Sequence, residues 1–410
     1  MSQSAAWTFM VYIAGDNNLS SAGDNDLREM RRVGSTSDVH IVAQFDNAGE
    51  LGTRRFHIEK DGIGERVEHL PETDSGSPET LLDFIEWASA EYPAERYALV
   101  LWNHGSGWEP SEMDRVARSI GAVNYNEREV TERSSSALRR VFFRSSLERI
   151  FQQPRPNERA ICSDDGSGHS LDTIELGQVM AGATAKLGRK IDLLGMDACL
   201  MSSFEVAYEL RDHARFFVAS EENEPNTGWP YDRILAALTA QPGMDADALA
   251  KRIVHDYIAS YQQSGNGVDV TQCALDLSLA DELGEPLKAL AVALIEHLPA
   301  AASDIWGAQR RAAHFWQNTL WDAAHFCLEL ENRSSLGPVR AAAAELRSAL
   351  VPGDGRPLVA EGHRGNKVEH CGGLSLYLVP PLIRISPYYR ELAFAHDHRW
   401  LEMLEGYHAV

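Results

Sequence analysis

The chain has 410 residues, 44% of them hydrophobic and 24% charged, with 60 acidic residues against 38 Lys and Arg for a formal charge of -22. That length exceeds the size at which one hydrophobic core stops growing, and the apolar content excludes a disordered or fibrous chain. The negative balance excludes a nucleic-acid binder, which needs clustered cations against phosphate, and is read first as a surface that keeps the protein dispersed.

Taken in chain order, TFMVYIAG (8–15) is a continuous apolar run ending at glycine, the pattern of a strand buried on both faces of a parallel sheet. VHIVAQFD (39–46), YALVLWNHG (97–105), IDLLGMDA (191–198) and RFFVASEE (215–222) have the same character. Helical patterns lie between them, over 77–90 with Pro78 in the first turn and over 173–187 with Asp172 as N-cap. Strands alternating with helices predict right-handed crossovers and a doubly wound α/β sheet. Ligands of such sheets gather outside the carboxyl ends of the strands. One predicted end reads Asn103-His104-Gly105, another Asp197-Ala198-Cys199.

Residues 109–159 differ from the rest, with ten arginines, an Arg139-Arg140 pair and a closing Pro-Arg-Pro stretch; they read as a linker or an inserted helical hairpin. Past Trp229 the pattern is mainly helical, over about 231–262, 279–297 and 321–349, with strands near TQCALDLS and GGLSLYLV. Two regions are therefore expected: a core over 1–230 carrying the Arg-rich insertion, and a mainly helical region with additional strands over 231–410, packed on the core.

The five cysteines (Cys162, Cys199, Cys273, Cys327, Cys371) are odd in number and lack CxxC spacing, which argues against a disulfide framework or a zinc site and for reduced thiols. The opening residues lack a basic stretch and a cleavage site, and no apolar run is long enough to span a bilayer. The expectation is a cytoplasmic protein with no membrane partner.

A thiol attacks only as thiolate, and a neighbouring imidazolium is the usual means of lowering its pKa from ~8.5. Cys199 alone stands at the carboxyl end of a predicted core strand and ahead of a helical pattern, where backbone N–H groups favour an anion. Cys273, Cys327 and Cys371 sit within or beside apolar runs or helices as core residues. His104 is followed by Gly105 in the string HGSG, so the Gly105 and Cys199 amides could form an oxyanion hole. From position alone, structural roles for both His104 and Cys199 stand open.

LWNHGSGW (101–108) and GMDACLMSSFEVAYEL (195–210) closely resemble the histidine and cysteine motifs of the clostripain-like cysteine peptidases, in the caspase–gingipain–legumain group. MVYIAGDNNLS, ICSDDGSGHSLDTIELGQVM, VASEENEPNTGWPYD, CALDLS and GGLSLYLV extend the resemblance in order along almost the whole chain. It implies a caspase-like three-layer α/β sandwich with a mainly parallel central sheet, a His104–Cys199 dyad, and peptide hydrolysis through an acyl-enzyme. It also implies protein or peptide substrates with Arg or Lys at the cleavage site, paired by a pocket carboxylate at the position of Asp197. Glu221, Glu222 and Glu224 are candidates for a second acidic wall of that pocket. Relatives are often matured by cutting between the two motifs, so self-cleavage within 109–159 is a further expectation. Some relatives depend on calcium, but Asp16-Asn17-Asn18 and Asp164-Asp165 lack EF-hand spacing, so loop or cap roles are expected and no cofactor is required. Two other classes stay in view: a different thiol-dependent hydrolase or acyltransferase on the same fold, and an inactive binding module.

Overall fold

Each of the five apolar runs is a strand in the computed structural model, which describes residues 4–17, 19–47, 52–103, 105, 160–164, 169–262 and 268–410. In chain order come β1 (Ala5–Gly15), α1 (Ser20–Val33), β2 (Val39–Asn47), β3 (Gly52–His57), β4 (Arg66–His69), α2 (Pro78–Glu91), β5 (Ala94–Trp102), β6 (Ala160–Asp164), β7 (His169–Asp172), α3 (Thr173–Leu187) and β8 (Ile191–Asp197). Then follow α4 (Phe204–Leu210), β9 (Ala214–Ala219), α5 (Tyr231–Ala240), α6 (Ala246–Tyr261), β10 (Val270–Asp276), α7 (Ala280–Glu296) and α8 (Ala300–Gln309). The chain closes with β11 (His314–Phe315), β12 (Leu320–Asp322), α9 (Ala323–Arg333), α10 (Gly337–Ala349), β13 (Leu358–Arg364), β14 (Ser375–Tyr377), α11 (Ala393–Asp397) and α12 (Trp400–His408).

These elements form two compact units that interleave along the chain, Met1–Ala198 with Glu224–Leu249 and Cys199–Asn223 with Ala250–Val410. The sequence reading draws one boundary, between 230 and 231; the units instead exchange after Ala198, Asn223 and Leu249.

In the first unit the strand order is β8-β5-β1-β2-β3-β4. β8, β5, β1 and β2 are mutually parallel, and β3 and β4 continue antiparallel from β2. β1 is buried along nearly its whole length, as an unbroken apolar run requires when both sheet faces are covered. All four residues of β4 (RVEH) are exposed, a charged edge that blunts pairing with other chains. From β1 the chain crosses to β2 through α1, and it later returns past β1 to β5 through α2. Right-handed crossovers in opposite directions put those helices on opposite faces. α1 packs with α5 and α2 with α3, giving three layers.

The helices follow their sequence signals. α2 opens on Pro78 and buries Leu81, Phe84, Ile85 and Ala88, one stripe at helical spacing. α3 starts at the predicted Asp172 cap, which forms a full capping box: Asp172 Oδ1 accepts from the Glu175 N–H (2.7 Å) while Glu175 Oε2 accepts from the Asp172 N–H (3.2 Å).

In the second unit, β10 lies antiparallel between β9 and β13, and β12 lies antiparallel between β11 and β14. α10 packs on α7 and α9, and α12 on α7. The long helices expected here are interrupted: 231–262 breaks between Ala240 and Ala246 at Pro242-Gly243, and 321–349 begins as a strand and breaks at Ser334–Leu336. Among the described residues no helix is long and apolar enough to cross a membrane.

Candidate active site

The carboxyl ends of three neighbouring strands of the first unit are in register, with Ile13 of β1 opposite Trp102 of β5 and Trp102 opposite Asp197 of β8. β1 is also where the chain's crossovers reverse, so this edge is the switch point at which doubly wound sheets bind ligands. Buried Asn103 straps it together: its N–H donates to the Asp197 carbonyl (3.3 Å) and its Nδ2 to the Ala14 carbonyl. The residue before His104 is thereby tied to both flanking strands. His104 itself, the Arg-rich segment 109–159, Asn18 and Asp165 lie outside the described residues. Gly105 is half-buried. Asn17 has the expected loop role, its Nδ2 donating to the Ala14 carbonyl (2.9 Å) and its Oδ1 accepting from the Leu19 N–H (2.8 Å).

Beneath this edge lies a buried carboxyl cluster. Asp197, only 4% exposed, accepts from Tyr231 Oη (2.8 Å) and the Trp229 N–H (3.3 Å), and hydrogen-bonds to the Glu224 carboxyl, a carboxyl–carboxyl contact that needs a shared proton. Burial raises the Asp197 pKa above the ordinary aspartate value, against these hydrogen bonds. Asp26 of α1, 3% exposed, accepts from Trp102 Nε1 (2.7 Å). Burial first, and then the charge of Asp197, push the Asp26 pKa up to about 9, so Asp26 is held protonated at neutral pH. Two glycines make room for the cluster. A Cβ at Gly195 would come within 2.7 Å of the Trp229 ring, and Gly228, at φ +51°, passes so close to Asp197 that a Cβ would sit 3.1 Å from both carboxylate oxygens.

The sequence reading singles out Asp197 and does not single out Asp26, its neighbour in this buried cluster. A signal was present: α1 buries Ala22, Gly23, Asp26, Leu27 and Met30, so helical spacing puts a carboxyl on the apolar stripe.

In the second unit, Cys199 is half-buried, while Cys273, Cys327 and Cys371 are buried. Burial pushes the thiols of those three well up, which disfavours thiolate and leaves them unsuited to nucleophilic attack. The residue after Cys199, Leu200, holds a left-handed backbone (φ +65°), a conformation that a bulky side chain resists unless its surroundings impose it. The surroundings are the loop after β9: the Leu200 N–H donates to the Glu222 carbonyl (3.3 Å) and the Ser202 N–H to the Ser220 carbonyl (2.8 Å). Thr271 Oγ1 in turn accepts from the N–H groups of Glu221 (2.9 Å) and Glu222 (3.1 Å). The helix expected close behind Cys199 begins only at Phe204, capped by Ser203, and has seven residues, so the backbone turn rather than a helix end shapes the thiol's immediate surroundings.

The three loop glutamates diverge. Glu222 accepts from the Asn223 N–H (2.8 Å) and pairs with Lys367. Glu224 joins Asp197 in the first unit. Glu221 is fully buried in the second unit, with Asp322 and Cys371 as neighbours.

The fold is a three-layer α/β sandwich with a mainly parallel sheet, and the comparisons give its class. The Clostripain family matches residues 11–142 and 148–335. The chain therefore belongs to the clostripain family of cysteine peptidases. It is 29% identical over 267 residues to clostripain of Hathewaya histolytica, covering 58% of this chain and 43% of that protein, so it spans under half the length of that relative. Among solved structures it is similar to a secreted C11 cysteine protease from Bacteroides thetaiotaomicron bound to an irreversible peptide inhibitor (TM-score 0.63, 19% identity, covering 97% of this chain and 99% of that one). It is likewise similar to an inactive zymogen C11 protease from Parabacteroides distasonis (TM-score 0.63, 20% identity, covering 97% and 99%). These structural likenesses establish the fold: a caspase-like α/β sandwich with a mainly parallel sheet.

Proposed function

We propose that the chain is an active endopeptidase cleaving after Arg, and less readily after Lys, with Cys199 as nucleophile and His104 as acid/base partner. The observation that carries this reading is the register of β5 and β8. Trp102 and Asp197 are paired, Asn103 bonds to Asp197, and His104 and Cys199 each follow two residues after one member of that pair. Equal offsets past paired strand ends are what a dyad delivered by neighbouring strands requires.

In this reading the Cys199 thiolate attacks the scissile carbonyl, the amides of Gly105 and Cys199 receive the oxyanion, and His104 protonates the departing amine. Water, deprotonated by His104, then releases the acyl group. Specificity rests on Asp197, a buried carboxyl held by Tyr231, the Trp229 amide and Glu224, which a substrate guanidinium would pair. Glu222 is already matched by Lys367 and Glu221 faces other neighbours, so neither supports the pocket as well. The ten arginines of 109–159 are substrates for the same activity, and we include self-cleavage there in the proposal.

The test is hydrolysis of fluorogenic peptides carrying Arg, Lys, Asp or Leu before the reporter, with intact-mass analysis of the enzyme. Cleavage after Arg and Lys that falls by at least ~10³-fold in Cys199→Ala is expected, together with a full-length Cys199→Ala protein beside a processed wild type. Cleavage after Asp or Leu would discard the pocket assignment, and activity unchanged in Cys199→Ala would discard the nucleophile.

A further inference from the structure

We propose that Glu221, Asp322 and Cys371 form a buried site for a divalent cation of the zinc class. The three side chains come from distant parts of the sequence: the loop after β9, the end of β12 and the turn before β14. Their ligand atoms, a carboxylate oxygen from each acid and the Cys371 Sγ, all lie within 4.8 Å of one another. Glu221 and Asp322 are 0% exposed and Cys371 is 6% exposed.

Glu221 sets this apart from an ordinary acidic cluster. Both its carboxylate oxygens are buried and neither has a hydrogen-bond partner. The Asp322 carboxyl and the Gly373 amide lie near enough to act on it, the first as a carboxyl–carboxyl contact that a shared proton or a bound cation must bridge, and neither gives it an aligned donor. Leaving a polar group unpaired in the interior is costly, and more so for an ion, so a fully buried carboxyl aimed at another acid and a thiol calls for a positive centre. Asp322 is oriented as a ligand would be: Oδ1 accepts from the His325 N–H (2.6 Å) and Oδ2 from the Gly372 N–H (2.6 Å), which fixes the carboxylate and leaves each oxygen a second lone pair. Glu361 adds negative potential from nearby and is itself held by His363, Nδ1 to Oε1 2.6 Å.

The ligand set selects the ion. A thiolate beside two carboxylates suits zinc and its cobalt(II) substitute and disfavours calcium and magnesium, which take oxygen ligands alone and in greater number. Binding would take the proton from the Cys371 thiol and the one that the buried Glu221 carboxyl holds without an ion, and release both to solvent. The site would then join β12, the turn before β14 and the loop that holds Leu200, all within the second unit. No spacing motif announces it, because residues 221, 322 and 371 meet only through the fold.

The experiment uses the full chain with Cys199→Ala, so that the half-buried thiol neither binds metal nor cuts the protein. Cobalt(II) is added, excess is removed, and bound cobalt is measured with the near-ultraviolet thiolate-to-cobalt absorption and the protons released. One equivalent of cobalt and a thiolate band are expected, with protons released as the ligands give them up. Cys371→Ser should abolish the band, and Glu221→Gln, which keeps the side-chain shape, should weaken binding by at least tenfold. Absence of retained cobalt and of the band in the folded Cys199→Ala protein would overturn the site without recourse to any further variant. An undiminished band in Cys371→Ser would overturn the assignment of the ligand. Tight cobalt binding unaltered by Glu221→Gln would leave the buried carboxyl holding a proton instead, and the site as drawn would fail.

Discussion

Each unit buries a carboxyl cluster beside a strand end, and the two clusters accommodate their charge by different means. In the first, Asp197 has donors in Tyr231 and the Trp229 amide, and Asp26 has one in Trp102. In the second, Asp322 is supplied by two backbone amides while Glu221 has no aligned donor. Burial raises the carboxyl pKa values in both. The difference teaches what each cluster lacks. A carboxylate with aligned donors can stay charged and wait for a cation that arrives with a substrate. One without donors must hold a proton or a resident ion.

The largest expected effect tests the first half of that contrast. Asp197→Asn keeps the shape and an oxygen for Tyr231 but removes the charge that would meet a substrate guanidinium. Loss of one partner of a buried charged pair costs about 2–5 kcal/mol, or roughly 30- to 4,000-fold in kcat/KM. We expect the loss for Arg and Lys peptides together, as a rise in KM or a fall in kcat, measured on the same panel as the wild type. A variant that cleaves Arg peptides at the wild-type rate would make Asp197 a structural residue and remove the contrast.

The next effect is smaller and changes sign with metal. In metal-free protein at pH 8, Glu221→Gln removes an uncompensated buried carboxyl, so thermal unfolding should shift upward by roughly 1–3 kcal/mol of stability. With cobalt bound, the same substitution removes a ligand and should lower the melting temperature relative to cobalt-loaded wild type. Stability that moves the same way in both states would show that the two clusters are alike.

The contrast also explains how much could be read from the sequence. β1, β2, β5, β8 and β9 were legible because strands covered on both faces leave unbroken apolar runs, and their ends pointed to Asn103-His104-Gly105 and Asp197-Ala198-Cys199. α3 was legible to its first residue because a capping box is a local signal. β3 and β4 were not, since an antiparallel extension ending in the exposed Arg66–His69 strand carries no such run. The interleaving of the two units, the Asn103 strap and the meeting of residues 221, 322 and 371 are products of tertiary packing, for which spacing gives no cue. Asp26 stands between: its place on the buried stripe of α1 was visible in the period, but its partner Trp102 lies 76 residues away.

The smallest effect concerns that residue and sharpens the first cluster internally. Asp26 is an acid whose pKa is raised in the folded state, from 3.8 to about 9, by burial and by Asp197. Between those limits the folded chain holds a proton that the unfolded chain has released, so its contribution to stability declines as pH rises. Asp26→Asn keeps an oxygen for Trp102 Nε1 and has no proton to lose. Its melting temperature should therefore gain on that of the wild type as the buffer is taken from pH 5 to pH 8.5, by roughly 1–2 °C for about 1 kcal/mol of linkage. A difference between the two proteins that is flat across this window would mean that Asp26 is ionised in the fold. Asp197 would then have a charged neighbour rather than a neutral one, and the pocket would hold more negative charge for an incoming cation than the neutral Asp26 described above allows.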